Sequence, residues 1–143
     1  MNSYLKRPNF SFAFGPRTWA GGAGTAGATV LLWRAPEACE VTAAWAVNNG
    51  TAIAAGATDY ITMTLINGGT AGTALTALCA TTGGTAGGDV AGWARRTPIA
   101  FSLGGTAKLA QGEWLGVKAI GYGGSLISDF AVHFDVTLAS YSD

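Results

Sequence analysis

The chain of 143 residues is long enough for one domain that buries about 68–70% of the surface its unfolded form exposes, so it needs no metal or disulfide staple. Only 11% of the residues are charged, against about 25% in an average soluble domain, while Gly, Ala and Thr fill 66 positions and leave little side-chain stock for catalysis. Eight acidic and eight basic side chains cancel, which excludes a global basic field that would draw in nucleic acid or an anionic membrane.

In chain order, residues 1–28 read as an extended N-terminal arm with a Gly-rich linker, and residues 29–143 as a β-sandwich domain. Met1 to Trp19 is aromatic and basic, and Ala20 to Ala28 contains only Gly, Ala and Thr, a linker composition. Pro8, Asn9 and Gly15 interrupt what would have to be the apolar centre of a signal peptide, and no run approaches the roughly 18 apolar residues of a membrane helix. The chain is therefore expected to be made and used without export. Lys6, Arg7, Arg17 and Arg34 all precede the first acid, Glu37, so the first 36 residues carry four positive charges and the remainder four net negative ones. This basic start is expected to favour an acidic surface.

Within the arm, Phe10, Phe12 and Phe14 alternate with Ser11 and Ala13, beside Tyr4 and Trp19, an extended strip with one aromatic face. Such a strip can add to the sheet edge of a neighbour, backbone bonds giving affinity and alternate rings filling pockets. It can equally be the first strand of the domain's own sheet, and alternation alone leaves both open. On the first reading the partner-binding residues are Tyr4, Lys6, Arg7, Phe10, Phe12, Phe14, Arg17 and Trp19.

From Ala28 onward the apolar pattern has period two, broken by Gly, Asn and Pro clusters, and predicts seven or eight strands. The candidates are Ala28 to Arg34, Val41 to Val47, Tyr60 to Ile66, Thr73 to Ala80, Asp89 to Arg95, Ile99 to Leu103, Glu113 to Ile120 and Phe130 to Leu138. In the last, Phe130, Val132, Phe134, Val136 and Leu138 share one face; in the second, Val41, Ala43, Trp45 and Val47 do. Asn48-Asn49-Gly50, Asn67-Gly68-Gly69, Gln111-Gly112 and Gly121 to Gly124 supply turn residues that tolerate positive φ. The fold class is all-β, a two-sheet antiparallel sandwich with jelly-roll wiring preferred over immunoglobulin-like wiring. Trp33, Trp45 and Trp114 lie in strands, where core is the expected place for them.

Tests for chemistry come out against catalysis. Gly22-Ala23-Gly24-Thr25-Ala26-Gly27 matches GxGxxG, but a strand pattern and not a helix follows it, so no cofactor is expected there. His133 is the single histidine, which excludes sites needing two or three imidazoles, and its neighbour Asp135 marks an exposed or interface face sooner than a catalytic pair. The acids are scattered and form no calcium-loop run, so no metal is expected. Cys39 and Cys79 lack CxxC spacing and read as buried free thiols. Arg95-Arg96 beside Trp93 reads as a solvated edge, with a stacked platform for sugar or an acidic partner as the competing reading.

The runs Ala28-Thr29-Val30-Leu31-Leu32-Trp33-Arg34-Ala35-Pro36-Glu37-Ala38-Cys39-Glu40-Val41-Thr42, Tyr60-Ile61-Thr62-Met63-Thr64-Leu65-Ile66-Asn67-Gly68-Gly69 and Leu109-Ala110-Gln111-Gly112-Glu113-Trp114-Leu115-Gly116-Val117 resemble the β-sandwich head proteins of tailed bacteriophages. The resemblance is to their capsid decoration (cement) and head-fibre base domains, over roughly residues 28 to 139. It implies a structural, non-enzymatic virion protein with a jelly-roll fold, a homotrimer assembled in the host cytoplasm. On this resemblance the partner is the major capsid protein, whose adjacent subunits the chain would bridge on the outside of the head. The alternative is a receptor- or carbohydrate-binding module of a phage tail or fibre, in which exposed Trp and Tyr stack on sugars.

Overall fold

The computed structural model describes residues 9–17, 28–50, 52, 60–79, 82–83, 93–103, 107–122 and 130–138. Its regular structure consists of ten strands: β1 (Asn9–Arg17), β2 (Ala28–Arg34), β3 (Cys39–Asn48), β4 (Tyr60–Asn67), β5 (Thr76–Ala77), β6 (Thr82–Gly83), β7 (Pro98–Ala100), β8 (Lys108–Leu109), β9 (Trp114–Tyr122) and β10 (Phe130–Leu138). They form two antiparallel sheets. Sheet A has the order β1-β10-β3-β7, with β8 also on β3; sheet B has the order β2-β9-β4-β5, with β6 also on β4.

The wiring follows one rule. The first half of the chain pairs with the second half in reverse: β1 with β10, β2 with β9, β3 with β7 and β8, β4 with β5 and β6. Rolling that long hairpin brings β10 against β3 and β9 against β4, closing the two sheets. This is the jelly-roll form of the all-β sandwich expected from the alternation and turn chemistry.

Between the sheets lies one core. Val132, Phe134, Val136 and Leu138 of β10 are buried, as are Met63 and Leu65 of β4 and Leu115, Val117 and Ala119 of β9. In β10 these are the residues that the alternation puts on one face; in β9 the inward set is Leu115, Val117 and Ala119, and Trp114, expected in the core, has the opposite parity. Strand β3 departs from the expected facing. Asp135 pairs with Ala43 but Val136 pairs with Val41, so Thr42 is an extra residue on β3. A bulge of this kind resets the alternation. Val41 stays inward, Ala44, Ala46 and Asn48 take the following core positions, and Trp45 and Val47 turn to the outer face, partly exposed. Strand β2 carries a similar shift, Leu31 opposite Gly116 and Trp33 opposite Leu115, which sends Leu32 and Trp33 against the core.

Leu31 and Trp114 instead cover the outer side of sheet B beneath the turn that follows β4. A Cβ on Gly72 (φ +73°) would stand 2.7 Å from Leu31 Cδ1, and one on Gly116 would stand 2.8 Å from the Val30 carbonyl oxygen. Glycine at these two positions lets backbone and side chain close up, and Ile66, on the outward parity of β4, is 1% exposed.

The aromatic strip of residues 9–17 is β1, an edge strand of sheet A hydrogen-bonded to β10. Of the two placements left open by the alternation, pairing within the domain's own sheet is the one found. The register sets Phe10, Phe12 and Phe14 opposite Val136, Phe134 and Val132. Phe12 stacks on Phe134 at 5.2 Å between ring centroids and meets Trp33 of sheet B at 5.1 Å. Pro16 is tolerated at the edge of a sheet, where no ladder bond is required of it, near the register shift between Phe14 and Arg17.

If β1 belongs to the cooperative fold, Phe12→Ala lowers the unfolding free energy in urea by about 2 kcal/mol, the worth of a partly buried ring with its aromatic contacts. Phe134→Ala, at the centre, costs about 3–5 kcal/mol. An unchanged midpoint for Phe12→Ala would show that β1 lies outside the folding unit.

Candidate interaction surface

The bulge at Thr42 has a surface consequence. With Trp45 turned outward, the rows across the outer face of sheet A run Ala13, His133, Trp45, Ala100; then Ala131, Val47, Pro98; then Ser11, Asp135, Ala43. Every one of these side chains is exposed or partly exposed. The indole of Trp45 and the imidazole of His133 lie parallel, 5.5 Å apart and 4° from coplanar. Asp135 is the one acid in these rows, and its Oδ1 accepts a hydrogen bond from Ser11 Oγ at 2.5 Å. The result is a strand-built platform with an aromatic pair among small, mostly apolar side chains, bordered past Asp135 by a row in which Glu40 lies between Thr137 and Lys108. The sequence carried half of the signal, placing His133 on the outer face; the bulge hid Trp45.

The residues expected to bind a partner divide sharply. Phe12 is partly buried and packs against the domain's own core through Phe134 and Trp33. Phe10, Phe14 and Arg17 are placed in β1 by backbone register. Tyr4, Lys6, Arg7 and Trp19 lie outside the described residues. Trp93 is 2% exposed; its indole Nε1 donates to the Thr97 carbonyl at 2.9 Å, and its own carbonyl accepts from Asn48 Nδ2 at 3.4 Å. That ring is core, which removes it as a stacking platform. The solvated-edge reading fits Arg95, whose Nε donates to the Asn49 carbonyl at 3.0 Å, and Arg96, exposed with φ +60°.

At one end of the sandwich the β2–β3, β4–β5 and β8–β9 turns are knitted together. The Ala35 amide donates to the Glu113 carbonyl and the Gly112 amide to the Ala35 carbonyl, both at 2.8 Å. Glu113 Oε2 accepts from Asn67 Nδ2 at 2.6 Å and from the Ala110 amide at 2.8 Å, and Asn67 Oδ1 accepts from the Gly69 amide at 2.7 Å. Beside this network is an open depression of about 490 Å³, lined by Arg34, Ala35, Pro36, Thr70, Gln111 and Gly112.

Among the described residues no three His, Cys, Asp or Glu side chains cluster as metal ligands. Compared with known proteins, the chain matches no family model, no curated protein and no solved structure.

Both thiols are free and buried. Cys79 serves the backbone, its Sγ accepting from the Leu65 amide at 3.2 Å, and burial pushes its pKa up. Burial, with Glu37 and Glu113 nearby, pushes Cys39 from an ordinary 9.0 to about 11. That shift alone lowers the Cys39 thiolate fraction at pH 8 by about 100-fold, and the thiolate is the reactive form. Native protein at pH 8 should therefore react with a thiol reagent far more slowly than urea-unfolded protein. Because the folded pKa is the higher one, the unfolded chain loses its proton first. The Cys39 contribution to stability is complete below about pH 9 and is lost as pH rises toward 11. Urea titrations across that window should show a decline that Cys39→Ala flattens; equal slopes for the two proteins would refute it.

Proposed function

We propose that the chain is a structural virion protein, a capsid decoration (cement) protein that binds the outside of a phage head and bridges major capsid subunits. The resemblance to tailed-phage head proteins supplies this reading, and the jelly-roll strand order is compatible with it. The observation that carries it is the outer face of sheet A, where Trp45 and His133 stack amid Ala13, Ala43, Ala100, Ala131, Val47 and Pro98. Depletion of charge with an aromatic at the centre is the composition of a buried interface core. A rigid sheet presents such a surface with little conformational entropy to lose on docking. The chain in this role is a homotrimer and does no chemistry.

The carbohydrate-binding alternative draws on one observation, the partly exposed Trp45 ring on an otherwise flat face. The two readings separate at the same residue. On the first, the chain copurifies with assembled heads at a fixed copy number per capsid subunit, and Trp45→Ala weakens that attachment by about 10-fold or more, the effect of losing a central aromatic anchor. Glycan binding by the isolated domain that is lost in Trp45→Ala, with head occupancy unchanged, would favour the second reading and overturn the first.

The basic start of the chain is tested separately by deleting residues 2–8, which leaves β1 whole. Reduced head occupancy is expected from the loss of Lys6 and Arg7, with the gap to the full chain narrowing as salt screens their charge. Unchanged occupancy would remove that segment from the mechanism.

A further inference from the structure

An asparagine followed by glycine is the step at which a backbone most readily attacks its own side chain, because glycine has no Cβ to shield its nitrogen. The chain holds two such steps, Asn49-Gly50 and Asn67-Gly68. The fold treats them differently.

At Asn67 every group that the reaction needs is engaged. The residue ends β4 and is paired on both sides, with Leu115 of β9 and Thr76 of β5. Its Nδ2, which would have to leave, donates to Glu113 Oε2 at 2.6 Å, and its Oδ1 accepts from the Gly69 amide at 2.7 Å. The attacking atom would be the Gly68 nitrogen, which donates to the Trp114 carbonyl at 2.7 Å, and Gly68 is buried against Leu31 and Trp114. Closing a ring there breaks these hydrogen bonds and turns a backbone clamped between two strands.

At Asn49 far less stands in the way. The residue lies one position past the end of β3, and both it and Gly50 are partly exposed. Among the described residues no hydrogen bond holds its carboxamide. The Gly50 amide donates to Asn48 Oδ1 at 2.9 Å, and the Asn49 carbonyl accepts from Arg95 Nε at 3.0 Å. Only the first of these two bonds involves an atom that reacts.

We infer that Asn49 is a site of spontaneous deamidation in the folded protein and that the fold protects Asn67. The Gly50 nitrogen, losing its proton to solvent, forms a bond to Asn49 Cγ. The Cγ–Nδ2 bond breaks, and Nδ2 takes up a proton from water and leaves as ammonia. Water then opens the succinimide ring: attack at the side-chain carbonyl gives aspartate, and attack at the main-chain carbonyl gives isoaspartate. Either product adds one negative charge to a chain whose formal charges cancel. In isoaspartate the new carboxylate forms at the main-chain carbonyl, whose oxygen is the one that accepts from Arg95, and charge strengthens such a bond.

The test incubates the full chain at pH 8, folded in buffer and unfolded in urea, in water enriched in heavy oxygen. Digests are read by mass spectrometry with fragmentation that separates isoaspartate from aspartate. In the folded protein Asn49 should convert at least about 10-fold faster than Asn67, the factor that a local opening of about 1.4 kcal/mol imposes on a protected site. In urea the two rates should converge. Converted Asn49 should carry heavy oxygen and include isoaspartate. Asn49→Gln should remove the early acidic form seen on ion exchange, while Asn67 keeps its slow rate, which reports an intact fold. Equal rates in the folded protein, a faster Asn67, or a folded Asn49 that stays unconverted while the urea sample converts would overturn the assignment. Aspartate without isoaspartate would show direct hydrolysis and overturn the ring mechanism.

Discussion

The alternation of β10 organises both sides of sheet A. This strand lies between β1 and β3. Its even-numbered side chains from Val132 to Val136 have no exposed surface, and its odd-numbered ones from Ala131 to Thr137 are partly exposed. Phe134 sets the inner row, holding Phe12 on one neighbour and Trp33 of the facing sheet, at 5.2 and 5.8 Å. His133, one residue away and pointing oppositely, sets the outer row by stacking on Trp45. A slip of one residue in this strand would exchange the two rows, burying His133 and Asp135 while exposing Phe134. Desolvating an unpaired acid costs several kcal/mol, so core and surface enforce one register together.

Against that strand, the abundance of alanine and glycine takes on a packing meaning. Ala44 and Ala46 pair with Phe134 and Val132 on the inner face of sheet A, small opposite large, which leaves the space between the sheets to Trp33 and Phe134. On sheet B, Gly68, Gly72 and Gly116 give way to Leu31 and Trp114. The composition that is poor in chemical groups is thus rich in the means of bringing backbones close to large side chains. Scarcity of charge has a further effect at the outer face of sheet A, where rows of Ala, Val and Pro leave little hydration to strip before another surface can settle on them.

Much of this was legible in the sequence. Period two in Phe130 to Leu138 and Tyr60 to Ile66 located β10 and β4 with their inward faces, because each runs without a bulge across its inward residues. The same method misassigned the facing of Trp45. The extra residue, Thr42, carries no local mark, and a bulge is decided by how β3 fits β10, a partner 90 residues away. Trp93 escaped for a related reason: a tryptophan next to two arginines looks solvated, and its place in the core shows only in the folded chain, where its indole donates to the nearby Thr97 carbonyl and its own carbonyl accepts from the distant Asn48. The aromatic strip of β1 was readable as a strand but not as this domain's strand, since a strip that suits a neighbour's edge also suits its own. The short β6 and β8, two residues each, carry no pattern at all.

The outer face of sheet A joins an apolar middle to a polar border, and the two would contribute differently to attachment. Rows of small apolar side chains around Trp45 and His133 give area, and so affinity, without fixing orientation, because such rows tolerate sliding. Glu40 and Lys108, opposite each other on β3 and β8 past the bulge at Thr42, bring opposite charges onto the same face. A single exposed ion pair adds about 0.2–1 kcal/mol, too little to hold two proteins together, but its direction selects one register among the many that a smooth face permits. A partner that matches both is held in one orientation, and one that matches only the apolar middle is held loosely.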